Sequence, residues 1–531
     1  MGILWFAAAL PIIVVLGLMV GLRWPAVKAM PIALGITVAL SLMVWQLAPA
    51  AVFFSFLKGG LIAINILLIV FGAVLLLRVL EHGGAVATID KLLGNVSKDR
   101  RVQAIIVAWL FGSFIEGAAG FGAPQAIVAP LLVSLGFPPL AAVIIAVLAN
   151  SSAVTFGAVG VPVTFGIGSV APEHVVAVTH IASILHGILA LLVPVFIVWV
   201  LTRSFGKDRR SSIRDVLPFA LFAGAAFSIP MIITAWLVGP EIASIVGGAV
   251  GLAVCVAIAR RGWLMPKRTW SFPPQSQWFA NWRGHHEPHK HKNHCPVWKA
   301  LLPYALVALI LIITRMDWLP LKAWLQAQAL VIPLGTDSYA FQYLYNPGVL
   351  FLLVSAFAIL LFKLDWADLF VEARDAAARF VHPLIALIAA VGTVQLFQAT
   401  ASNPAGLASI PVTLAQPALP LGSAFLFVSP LIGVLGAFIA GSNTVSNLLF
   451  GGFQLSAATA IGLAPALVLS LQTVGGAVGN VIAVHNIVGA SATAGIHNRE
   501  GDVIRATIIP CIIYALAAGI LGFVALKIGL V

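Results

Sequence analysis

Apolar runs of roughly 20 residues, the length an α-helix needs to cross a bilayer, recur from one end of this chain to the other. They lie near residues 3 to 22, 30 to 48, 60 to 80, 177 to 201, 216 to 237, 241 to 259, 300 to 315, 347 to 362, 383 to 400 and 506 to 528. Of the 531 residues, 61% are hydrophobic and 9% charged, against roughly a quarter charged in a soluble domain. A single soluble core stops growing at about 250 to 300 residues, so no water-soluble fold could hide this much apolar surface. The expectation is an all-α polytopic membrane protein. The N-terminus starts apolar but lacks a basic n-region and a small-residue cleavage site, so it reads as the first span rather than a removed signal peptide.

Two regions break the pattern. Residues 104 to 168 and 425 to 496 are apolar yet repeatedly interrupted by Gly, Pro, Ser and Asn. Interrupted backbone at membrane depth is tolerated only where protein or a watery cavity satisfies the freed amides, and such places are usually binding sites. Each region therefore reads as a re-entrant hairpin (104–135 and 425–457) followed by a discontinuous span (139–168 and 463–496). With the ten plain spans this makes about 12 transmembrane helices plus two re-entrant hairpins. The chain divides into a first half, 1–259, a basic His-rich cytoplasmic loop, 260–299, and a second half, 300–531.

Basic residues test the layout, because cytoplasmic loops collect them. With the N-terminus outside, all 29 Lys and Arg fall inside except Lys58, Arg315, Lys322 and Lys527. The first hairpin then enters from the cytoplasm and the second from outside, the pattern of two inverted-topology repeats. The net charge of +12 is accounted for by these loop anchors, and no nucleic acid partner is expected. Cys255, Cys295 and Cys511 show no disulfide or metal spacing. His285, His286, His289, His291 and His294 share the central loop with Cys295; a solvated spacer is the expectation there, with no metal and no cofactor. Residues 317 to 346 read as an amphipathic outer loop and 363 to 382 as a cytoplasmic interfacial helix.

Of the 17 acidic residues only Glu116 falls well inside a membrane segment; Glu241 sits at a span end. A carboxyl group at that depth is costly and marks function by default, so Glu116 is the candidate for proton coupling. Around it, Gly117, Gly120 and Gly122 permit tight turns and close backbone approach, and Pro124 can start the returning half-helix. An anion can be held by such half-helix N-termini without Arg or Lys, and neither interrupted region contains one. The remaining candidates are Asn150, Ser151, Ser152 and Thr155 in the first discontinuous span, and Ser442, Asn443, Thr444 and Asn447 at the second hairpin tip. Thr473, Gly475, Gly476, Asn480 and His485 are expected in or near the second break. His180 and His186 lie on an unbroken span and rank lower.

These motifs resemble the L-lactate permease family. The likeness is carried by FGSFIEGAAGFGAP (Phe111 to Pro124), LGFPPLAA (Leu135 to Ala142), FGAVGVP (Phe156 to Pro162) and GVLGAFIAGSNTVSNLLF (Gly433 to Phe450). It implies proton-coupled uptake of small monocarboxylates, lactate and glycolate among them, across the bacterial cytoplasmic membrane, with no enzymatic activity; the oligomeric state is left open. It also suggests kinship with ion transporters whose hairpins bear Ser-Asn-Thr tips, reproduced here by Ser442, Asn443 and Thr444. The family tends to carry Asp where Asn443 stands and Lys where Asn480 stands, so this chain departs from it at both members of a charge pair. A sodium-coupled carboxylate carrier or an anion exchanger is the alternative within transport.

Overall fold

The computed structural model describes residues 2–22, 24–94, 96–206, 213–284, 294–316, 318–335 and 337–530. Twelve of its helical segments are long and apolar enough to cross a membrane: Gly2–Met19, Ala26–Met43, Pro49–His82, Arg100–Ala118, Pro172–Phe205, Ile213–Leu237, Ala243–Arg260, Val297–Arg315, Leu384–Ser402, Ile410–Ala440, Pro465–Ile482 and Glu500–Lys527. The all-α polytopic expectation holds. Many of these spans are rich in Gly and β-branched residues, weak helix formers in water, but in lipid a helix is what satisfies every backbone amide.

Burial sorts the helices into a rim and a core. The outer helices leave large apolar side chains exposed, among them Ile3, Phe6, Ile233, Leu353, Leu360 and Ile520. By contrast the chain is buried without interruption from Arg101 to Gly120, from Phe137 to Val163 and from Leu467 to Ala483. The interrupted regions are thus the centre of the molecule.

In the first of them, the Arg100–Ala118 helix turns at residues 119–122 and returns as Ala123–Ser134, which packs against it. Pro139–Ala149 follows, and after a break at 150–153 the chain resumes as Val154–Ile167, bent by 66°. In the second, Phe425–Ala440 ends on left-handed Gly441 and returns as Asn443–Ile461, again packed on its partner. Pro465–Gly479 tightens into a short turn at Asn480–Ile482 and restarts as Val484–Thr493. Both halves therefore run helix, tip, helix, helix, break, helix in the same order.

Three expectations need adjusting. The second break lies at 480–483, so Thr473, Gly475 and Gly476 sit inside an unbroken helix. The reason is packing: a Cβ at Gly475 would overlap the Pro430 carbonyl, and one at Gly433 the Gln472 carbonyl, so these glycines let two helix backbones meet. The segment 363–382 is not a separate interfacial helix but the start of a continuous one, Trp366–Ala399; its Ala, Glu and Arg residues favour helix, and the helix runs on through Pro383. The outer stretch 317–346 holds the short amphipathic helix Pro320–Ala327, and beside it an antiparallel hairpin, Leu330–Leu334 with Asp337–Phe341.

The central loop is also less free than a spacer. His285, His286, His289 and His291 lie outside the described residues. Upstream of them, however, Trp270 and Trp282 are buried, with Phe272 against Phe137 and Trp282 against Phe205. An ion pair completes the anchor. Asp99 caps the Arg100 helix, accepts from the Trp270 amide at 2.9 Å, and binds the Arg101 guanidinium, whose Nη2 lies 2.7 Å from Oδ2 and also donates to the Arg268 carbonyl. Both side chains are buried. Removing one member of a buried pair strands the other, so Arg101→Ala is expected to destabilise the protein by about 3–5 kcal/mol. Thermal unfolding in detergent checks this, and an unchanged melting temperature would refute it. Lys207, Arg209 and Arg210, counted among the inside loops, fall outside the described residues, as does Arg23.

Candidate functional site

Glu116 stands one turn before the first hairpin tip and is 3% exposed. Asn150, at the break, is the hydrogen-bonding neighbour of its carboxyl group. Oε2 has no partner in the protein, and among the described residues no cation pairs with it. Glu241 differs: its carboxylate is committed to Arg315, 3.1 Å away, whose guanidinium stacks on Tyr345.

The acid is held by a turn of unusual geometry. Gly157 abuts Oε1 so closely that a Cβ there would overlap it. The next residues, Ala158, Val159 and Gly160, all take left-handed φ of 46°, 56° and 72°. For Ala and especially β-branched Val that conformation costs about 1–3 kcal/mol each and persists only where surroundings impose it. They do so here: Gly120 of the tip packs on Ala158, and Gly160 packs on the Pro240 and Glu241 backbone. The start of the Ala243–Arg260 helix braces the same place, Ser244 Oγ donating to the Ala153 carbonyl at 2.7 Å.

The candidate residues separate into those that meet and those that do not. Glu116 and Asn150 meet, and the tip residue Gly122 lies beside Asn486 of the second half. Ser152 accepts from Trp109 at 3.1 Å, while Ser151 Oγ has no partner in the protein. Gly117 is a packing residue against Ile245. In the second half Asn447 Nδ2 donates to Thr473 Oγ1 at 2.8 Å and to the Pro162 carbonyl at 2.9 Å, joining the two halves. Asn443 Nδ2 also points to Thr473 Oγ1, at 3.3 Å, and its Oδ1 faces Gly476, one turn before Asn480. Ser442 caps the returning helix, and Thr444 is buried with its carbonyl near Gly166. His485 stands apart: it is exposed, beside Gly441 at the second tip.

Partnerless polar atoms mark the same region. Among the described residues, eleven of the fourteen buried side-chain nitrogens and oxygens without a hydrogen bond lie in 104–168 and 425–496. They belong to Ser113, Glu116, Gln125, Asn150, Ser151, Asn443, Asn447, Gln454, Asn480 and Ser491. Native interiors rarely strand such groups without water or a ligand to serve them. Gln125, with both polar atoms partnerless, was recoverable from sequence by the criterion that found Glu116, being polar within the same apolar segment. Gly157 and Tyr514 carried no such signal. No cluster of His, Cys, Asp or Glu able to hold a metal occurs among the described residues.

Twelve helices long and apolar enough to cross a membrane, with a polar, interrupted core among them, make a polytopic membrane protein, and comparison with known proteins says which kind. A model described as L-lactate permease matches residues 5–529. The chain belongs to the L-lactate permease family. It is 28% identical over 544 residues to the L-lactate permease of Escherichia coli K12, covering 98% of this chain and 96% of that one. It is 34% identical over 478 residues to a Haemophilus influenzae relative, covering 85% of each, and 29% identical to the E. coli glycolate permease GlcA over 85% of this chain and 83% of that one. It is accordingly a permease rather than an enzyme, and a multi-pass bacterial membrane protein. In this L-lactate permease family member the EGAAGFGAP string forms the first hairpin's tip, and GVLGAFIAGSNTVSNLLF forms the second hairpin from mid-helix through its tip.

Proposed function

We propose that this permease takes up L-lactate, and with it D-lactate and glycolate, by proton symport. The names of its relatives support the substrate class. The coupling reading rests on one observation: Glu116 is the sole acid in the interrupted core and has a carboxyl oxygen with no partner in the protein. An isolated carboxyl group at membrane depth can carry a proton inward and give it up, and its protonated form needs no counter-ion. The substrate carboxylate would lie between the two tips, near Asn150, Ser151, Asn443 and Asn447, with amides at the half-helix ends supplying positive potential. We read the matching order of elements as inverted-topology repeats, whose relative rocking would expose the site alternately.

The alternative is sodium coupling, favoured by the partnerless Oδ1 atoms of Asn443 and Asn447, since amide carbonyls suit hard cations. Purified protein in liposomes distinguishes the two. An imposed inward proton gradient is expected to drive accumulation of labelled L-lactate without sodium. Accumulation driven by a sodium gradient alone would reject proton symport.

A further inference from the structure

Another buried titratable group, His186, has no part in the reading above. His186, on the Val175–Leu189 helix, is completely buried, and both ring nitrogens are engaged: Nε2 lies 2.7 Å from Thr155 Oγ1 and Nδ1 lies 2.7 Å from the Tyr514 hydroxyl. Thr155 belongs to the first half's broken span, two residues before Gly157, and Tyr514 to the last helix. Thr155 Oγ1 also contacts the Thr473 carbonyl of the second half, at 3.2 Å.

Proton counting leaves one consistent arrangement. A carbonyl only accepts, so the single hydroxyl proton of Thr155 goes to Thr473. His186 Nε2 must then donate to Thr155, and Nδ1 must accept from Tyr514. The ring is neutral, with its proton on Nε2. An imidazolium would donate from Nδ1 as well, turning the Tyr514 hydroxyl proton away from its only hydrogen-bond partner among the described residues.

A second set of bonds meets Thr473 on its side chain rather than its carbonyl. Its Oγ1 receives the side-chain amides of Asn443 and Asn447, and Asn447 reaches back to the Pro162 carbonyl. With the nitrogens so occupied, the Oδ1 atoms of both Asn residues are left partnerless.

We infer that His186 is a positioning residue: as a neutral hub it commits Thr155 to the Thr473 carbonyl, and so ties the first broken span to the helix whose Thr473 hydroxyl holds Asn443 and Asn447 of the second hairpin tip. It carries no proton in the cycle. This goes beyond the proposed substrate and coupling, and it assigns Glu116 and His186 separate work, charge movement at Glu116 and registration of the halves at His186.

Two measurements on the full chain in lipid bilayers test it. In protein labelled with ¹⁵N-histidine, the His186 resonances, assigned by their loss in His186→Gln, are expected to show one protonated and one bare nitrogen from about pH 5 to about pH 9. The bare-nitrogen signal is expected to shift in Tyr514→Phe. A doubly protonated ring within that range overturns the inference. In the second, counterflow of labelled L-lactate is expected to slow roughly tenfold in Thr155→Val, about the worth of one hydrogen bond, and to stay at the wild-type rate in Thr155→Ser. Thr155→Val combined with His186→Ala should be no slower than the slower single variant, because both cut one chain; losses that multiply overturn it. Wild-type protein that exchanges no lactate would reject the proposed substrate instead, and the resonance measurement would still decide the hub.

Discussion

Replacing Glu116 by Gln will abolish accumulation of lactate against its gradient while sparing exchange of labelled for unlabelled substrate. Gln keeps the shape of the side chain and can still meet Asn150, the carboxyl group's hydrogen-bonding neighbour, so the site should close around substrate much as before. What it cannot do is take up and release a proton. Under the proposed proton symport, accumulation draws its energy from that exchange, and counterflow does not. In liposomes with an imposed proton gradient the variant is expected to equilibrate lactate without concentrating it, and its counterflow is expected to vary less with pH than that of the wild type. Wild-type accumulation by the variant would remove Glu116 from the mechanism.

Gly157→Ala should be nearly as damaging, and for a reason confined to that carboxyl group. Gly157 has extended backbone, φ −72° and ψ 164°, which any residue adopts, so alanine pays no conformational penalty there. Its Cβ, however, would overlap Glu116 Oε1. The acid must move, and the left-handed turn that follows is pinned by Gly120 and by the Pro240 backbone, so it cannot yield in compensation. Overpacking of this kind costs about 1–3 kcal/mol of stability, and a displacement of about 1 Å at a working group can cost roughly a hundredfold in rate. Proton-driven uptake is therefore expected to fall roughly a hundredfold in protein that still elutes as a single folded species. Gly60→Ala, where an added Cβ meets nothing, serves as the control and should transport normally. Normal uptake by Gly157→Ala would mean that Glu116 does not need its present position.

Much of this molecule was legible in one dimension because the bilayer reduces folding to a few strong rules. A run of apolar residues becomes a helix whatever its propensities, and interrupted runs must be buried; these two statements placed most of the spans and both hairpins. The same reasoning found Glu116, since an acid in an apolar stretch is conspicuous without any structure. It failed where the deciding fact was a contact. The glycines after Gln472 looked like a break and are a packing seam, because Gly475 and Gly479 lie against the Phe425–Ala440 helix and Gly476 against Asn443. His186 ranked low because an unbroken helix around a lone histidine resembles ordinary packing; its standing comes from Thr155, 31 residues upstream, and Tyr514, 328 downstream.

The division follows from the range of the forces involved. Membrane partition, helix length and the cost of an isolated charge are properties of a residue and its near neighbours, so the chain alone pointed to a many-span membrane protein with two interrupted segments and one acid within them. Which polar atoms are left without partners, which amide faces which hydroxyl, and that Thr155, Thr473 and Asn447 tie the two halves together depend on groups hundreds of residues apart being brought within 3.5 Å. Hydrogen bonds act only at that distance and in narrow directions, so those decisions belonged to the tertiary structure.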